Sequence, residues 1–292
     1  MITVLASGAA VLAAALPVFA DAPAPKLPPA RAVERGIPAV FPLDQVKPGM
    51  TGIGRTVFAG TTIEEFKVEV IGVLENIGPK QSMIVARLEG GPLAKTGVIA
   101  GMSGSPVYID GKLVGAVAYG FPFSKETIAG ITPISEMIDA TRTDAPRAAS
   151  TRFPAAIGPH GPKAPLDRES FVAALRRPLP AIPLSAGALR GNVPGHLAGQ
   201  SLGPLSLPLV FSGFDPATFE WARGIFASMG FTPVMGTGGK GALPPGGIPD
   251  LEPGGAVGIS LIEGDMDLSA TGTVTHIDNN RVYAFGHPFY NL

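Results

Sequence analysis

Between residues 41 and 142 the apolar positions come in short runs that alternate with polar ones and are broken by glycine, most clearly over residues 66–74 and 82–88. A two-residue period carried by β-branched and aromatic side chains predicts strands with one face buried. This span therefore reads as a first all-β domain. Further along, residues 205–212 form another strand-like run. Asp215 then supplies an N-cap and Pro216 a first-turn proline for a helix running to about residue 229, closed by Gly230. That pattern implies a small α/β insert over residues 205–250. After a Gly-rich run, residues 256–262, 268–277 and 281–285 predict three more strands, half of another β-barrel. Residues 251–292 thus begin a second barrel, and no further stretch closes it before Leu292, which reads as a fragment.

The segments between these elements lack such periodicity. Residues 21–40 carry five prolines and predict an extended linker, and residues 143–204 are an Ala-, Pro- and Gly-rich connector in which no function is expected. Residues 3–20 are apolar and end in Val18-Phe19-Ala20 before Asp21, a small-residue cleavage pattern. Residues 1–20 accordingly read as a signal peptide, and the mature chain as exported.

Composition narrows the chemistry. A formal net charge of -1 offers no basic field for phosphates, which argues against nucleic acid as a partner. The absence of cysteine removes disulfides, thiolate metal sites and a cysteine nucleophile. No metal or small-molecule cofactor is expected.

The chemistry concentrates in Gly101-Met102-Ser103-Gly104-Ser105-Pro106. A serine nucleophile needs a tight turn that exposes its oxygen and aims backbone N–H groups at the developing oxyanion, which demands glycine where a side chain would collide. The N–H groups of Gly101 and Ser103 are the candidates for that role. A Gly/Ser-rich turn between strands can equally be a plain hairpin. The residues downstream of Pro106 argue otherwise. They predict a strand over 107–109, the Asp110-Gly111 turn signal, a second strand over 113–119 and the triplet Ala118-Tyr119-Gly120, then Gly130-Ile131-Thr132 leading into a helix over 133–141 with Thr132 as cap. This series resembles the end of a trypsin-like C-terminal barrel. That resemblance implies that Ala118, Tyr119 and Gly120 pair with an extended peptide substrate as an added strand. It also implies that Gly97 forms the base, and Gly120 and Gly130 the walls, of an open, uncharged pocket for the residue before the scissile bond.

The string Gly101 to Pro106, together with Gly272-Thr273-Val274-Thr275, Asp278 and Ala284-Phe285-Gly286-His287-Pro288, resembles the SpoIVB-type serine peptidases. The resemblance implies a mostly β fold, a trypsin-like double β-barrel whose halves are permuted, since Ser103 here precedes the histidine segment. It implies Ser103 as nucleophile and His287 as base, and points to Glu89 as the acid that orients the histidine. His276, at the end of a strand, is a weaker candidate base, and His160 and His196 fall in the connector as solvated loop residues. Peptide-bond hydrolysis through an acyl-enzyme is then the expected activity, on an extended polypeptide substrate and with an envelope or membrane-associated protein as a possible partner. The competing reading is an envelope scaffold that keeps the peptide groove without a working triad. An esterase is disfavoured, because the serine is followed by a hairpin and not by a helix.

Overall fold

The computed structural model describes residues 39–78, 80–121, 127–141, 181–184, 189–191, 195–197, 199–236 and 250–288. The expected signal peptide, most of the linker, His160 and the side chain of His196 lie outside them.

The first body is built from β1 (Thr51–Thr56), β2 (Glu64–Gly78), β3 (Gln81–Glu89), a short α1 (Leu93–Thr96), β4 (Pro106–Ile109), β5 (Lys112–Gly120), β6 (Ile128–Pro133) and α2 (Ile134–Ala140). The strands run in the order β4-β1-β2-β3-β6-β5, and β5 pairs back onto β4, closing a six-stranded antiparallel barrel. Alternation sets what faces inward: Phe66, Val68 and Val70 on β2 are buried while Lys67 and Glu69 are exposed. With Ile84, Ala86, Leu88, Val107, Val117 and Ile131 they fill the interior. The β4–β5 hairpin turns through Asp110 and Gly111 at φ 48° and 73°, the double left-handed geometry that matches strand twist. Thr132 does not cap the helix as expected. It lies in β6 opposite Ala116, so the helix starts one residue later, after Pro133.

The connector is less idle than its composition implied. β7 (Ile182–Pro183), β8 (Leu189–Gly191) and β9 (Ser201–Pro204) all join the barrel sheet, β8 on β2 and β9 on β5. Leu184, Leu197 and Leu202 pack with Leu74, Met83 and Val85 as an outer apolar layer.

The second body holds β10 (Leu207–Ser212), α3 (Pro216–Ser228), β11 (Phe231–Met235), β12 (Ala256–Ile262), β13 (Asp267–Asp278) and β14 (Arg281–Ala284). Asp215 caps α3 through the N–H groups of Ala217 and Thr218, as its sequence predicts. β10 and β11 pair in parallel across α3, and β10 also pairs antiparallel with β13. The α/β insert and the last three strands therefore form one five-stranded sheet, not two units. Its core centres on Phe211, whose ring meets Phe214, Phe219 and Phe226 edge-on at 5.2, 5.3 and 5.5 Å. The fold is thus mostly β, a closed barrel with a second sheet, in keeping with a trypsin-like double barrel.

Candidate active site

Ser103 occupies the turn that enters β4. The Gly104 N–H donates to the Val117 carbonyl at 2.8 Å, the Ser105 N–H to Met102 at 2.9 Å, and the Val117 N–H to Ser105 at 2.9 Å, so the turn is stitched onto β5. The N–H groups of Gly101 and Ser103, the pair assigned to the oxyanion, make no hydrogen bond among the described residues. Gly101 has φ +92° and Gly104 φ +98°, which only glycine adopts without strain.

β13 crosses this turn from the other body. The Thr273 N–H donates to the Ser103 carbonyl at 2.9 Å, and the Thr273 and Thr275 hydroxyls donate to the carbonyls of Gly101 and Gly104 at 2.8 and 2.7 Å. A register shift between Val274 and His276 in the β13–β14 ladder leaves Thr275 as the extra residue, the kind of bulge that re-aims a side chain. A Cβ on Gly104 would fall on the Thr273 carbonyl oxygen and the Phe285 amide nitrogen. The serine turn and the β13–β14 hairpin meet backbone to backbone.

Beyond β14 the chain makes a γ-turn: the Gly286 N–H donates to Ala284 at 2.8 Å around Phe285 at φ 67°. The Phe285 carbonyl accepts the Ser103 hydroxyl, and His287 comes two residues later. The His287 ring lies 6.3 Å from that of Tyr119 and is partly buried, with Nε2 shielded from solvent and without a hydrogen bond of normal geometry. Its Nδ1 is 3.0 Å from the Pro288 carbonyl. An Nδ1–H donated there leaves Nε2 as the lone-pair acceptor, the tautomer a general base requires. Burial pushes the His287 pKa down, and the carbonyls of Pro288 and Leu205 oppose that shift without reversing it.

Residues 30–138 match the family model described as SpoIVB peptidase S55. The match spans the Ser103-bearing barrel and supports a likeness to the SpoIVB-type serine peptidases. No curated protein and no solved structure was found to match the chain. That likeness supports a peptidase, for which a polypeptide substrate is implied.

Several expectations for a SpoIVB-type peptidase need correction against the geometry. Ser103 is not exposed: it is 0% accessible, with the β13–β14 hairpin bonded across its turn. Its hydroxyl bonds to Phe285, not to His287. Glu89 sits exposed at the end of β3, opposite Lys67, in an open groove with Thr51, Gly52, Glu69 and Arg87, and makes no hydrogen bond to His287. Among the described residues no carboxylate orients that ring. Gly97 ends α1, its N–H bonded to the Leu93 carbonyl at 2.8 Å. Gly130 faces Met83 and Tyr119, whereas Gly120 faces Leu205 and Val98, so the two do not wall one open pocket. His276 is 4% exposed and stacks on Tyr283, its pKa lowered by burial. The edge at Ala118, Tyr119 and Gly120, expected to receive a peptide, is already paired within the chain. Thr273, Thr275 and Phe285, which hold the two segments together, were read from sequence only as parts of the resemblance, with no role of their own. Their signal was the alternation of hydroxyls in Thr273-Val274-Thr275 on a strand leading to a glycine-flanked histidine.

Proposed function

We propose that the chain is a serine endopeptidase in which Ser103 attacks the peptide carbonyl, His287 takes and returns the proton, and the N–H groups of Gly101 and Ser103 hold the oxyanion. The observation that carries this reading is the docking of the Gly286-His287 turn on the serine turn, through the Ser103–Phe285, Thr273–Ser103 and Thr275–Gly104 hydrogen bonds. His287 follows by two residues the carbonyl that accepts the Ser103 hydroxyl, and its shielded Nε2 is left as an acceptor, which supports it as the base. The leader-like residues 3–20 support exported or envelope proteins as the substrates and an exported location for the enzyme.

The engagement of Ser103 with Phe285 and the unpaired edge of His287 also favour an inactive peptide-binding scaffold of the envelope as a second reading. A fluorophosphonate probe separates the two. The endopeptidase labels at Ser103, not at Ser105, and the Ser103→Ala variant does not label. Labelling that survives in Ser103→Ala rejects the assignment.

A further inference from the structure

The strand edge that should receive substrate is occupied by the chain itself. Gly120 pairs with Gly203 and Tyr119 with Pro204 in antiparallel register, and the Leu205 N–H donates to the Ala118 carbonyl at 2.8 Å. This continues one register over three residues. A further shift, between Val117 and Tyr119 in the β5–β6 ladder, releases Ala118 from that ladder and turns its carbonyl toward Leu205. A peptide added to this edge would use the same groups.

The rest of the segment takes the path of a peptide through a cleft. The Leu205 side chain is 7% exposed and seated against Gly120 and Val98. Pro204 has no N–H to offer, which an edge strand tolerates. The Leu205 carbonyl lies close enough to His287 to favour its charged form. Three residues later, Pro208 packs on Gly101, with its Cγ 3.6 Å from where a Cβ on that glycine would stand. The segment thus runs from the Ala118 edge to Gly101, two residues before the fully buried Ser103.

We propose that Gly203-Pro204-Leu205 is a built-in occupant of the substrate strand that holds the cleft shut, with Leu205 in the pocket for the residue before the scissile bond. The cleft then takes extended peptides with an aliphatic residue at that position. This rests on the endopeptidase reading, since it defines the cleft by Ser103 and His287.

The test uses the full chain and fluorophosphonate labelling of Ser103, followed by mass spectrometry. Leu205→Gly empties the pocket and Pro204→Gly loosens the strand without touching the buried side chain. Each should label at least tenfold faster than wild type, while Leu88→Ala, a core truncation in β3, should not. In the Leu205→Gly protein, a Gly-Pro-Leu phosphonate should react at least tenfold faster than its Lys or Asp counterparts. Equal labelling of wild type and both strand variants overturns the occupancy, and indifference to Leu, Lys or Asp overturns the pocket assignment. If no variant labels at all, the endopeptidase reading fails and the proposal falls with it.

Discussion

Gly104 is the position where a single methyl group should separate the two halves of the site. At φ +98° an alanine costs about 1–2 kcal/mol or more, since this lies beyond the left-handed region that L-residues occasionally visit. Its Cβ would collide with the backbone of Thr273 and Phe285, neither of which can swing away as a side chain can. To make room, β13 must retreat and strain the Thr273 N–H, Thr273 hydroxyl and Thr275 hydroxyl bonds at 2.9, 2.8 and 2.7 Å. Net values of about 1 kcal/mol per hydrogen bond bring the sum to about 4–5 kcal/mol, a large part of the ~5–15 kcal/mol that holds a typical domain. Gly111→Ala is the control. It has φ +73° in the β4–β5 turn and open space around its Cβ, so it carries only the backbone cost. Urea denaturation monitored by circular dichroism should place Gly104→Ala about 3 kcal/mol below Gly111→Ala. A difference under about 1 kcal/mol would refute the backbone contact between the serine turn and the histidine hairpin.

His287→Ala should cut Ser103 labelling at least about a hundredfold while His276→Ala leaves it intact. Because burial lowers the His287 pKa, its neutral ring persists below the ordinary 6.5, so labelling should fall only at pH below that value; a midpoint above 6.5 contradicts the assignment. Glu136, half-buried at the Ser82 amide, has its pKa raised from 4.5 to about 7 by burial. A raised folded pKa gives stability that is present below 4.5 and lost as pH rises through about 7, so Glu136→Gln should gain melting temperature relative to wild type at pH 8 but not at pH 4.5. A pH-independent difference between the two proteins would show that the carboxyl does not titrate as inferred.

Most of the fold was legible because its signals are local. The strands predicted at 256–262, 268–277 and 281–285 correspond to β12, β13 and β14 with ends shifted by no more than a residue or so, since alternation and the Asp278-to-Arg281 turn are written in adjacent residues. Asp215-Pro216 marked the start of α3 for the same reason. Thr132 failed as a cap because a tertiary demand, its pairing with Ala116, outweighed its local preference. The assignment of residues 205–250 to a separate insert failed because the pairing of Val210 with Ser269 joins segments that no local pattern connects.

The candidate site divides along the same line. Ser103 and His287 each sit in a motif a few residues long, so each was readable alone. Their meeting depends on Thr273, Thr275 and the γ-turn at Phe285, whose partners across the site lie about 170–180 residues away, beyond any local pattern. The occupant of the cleft was hidden for a different physical reason. In Ser201-Leu202-Gly203-Pro204-Leu205, glycine and proline suppress the strand reading, since neither favours the interior of a sheet. Yet an edge that binds peptide through alternate backbone groups needs no donor from every residue. Gly203 brings no side chain to the edge, and Pro204 can take a position whose N–H is not required. The composition that made residues 143–204 look like an idle connector is therefore compatible with a strand laid onto β5. The positions of Leu202 and Leu205, both buried on either side of that Gly-Pro pair, were the signal that could have revealed it.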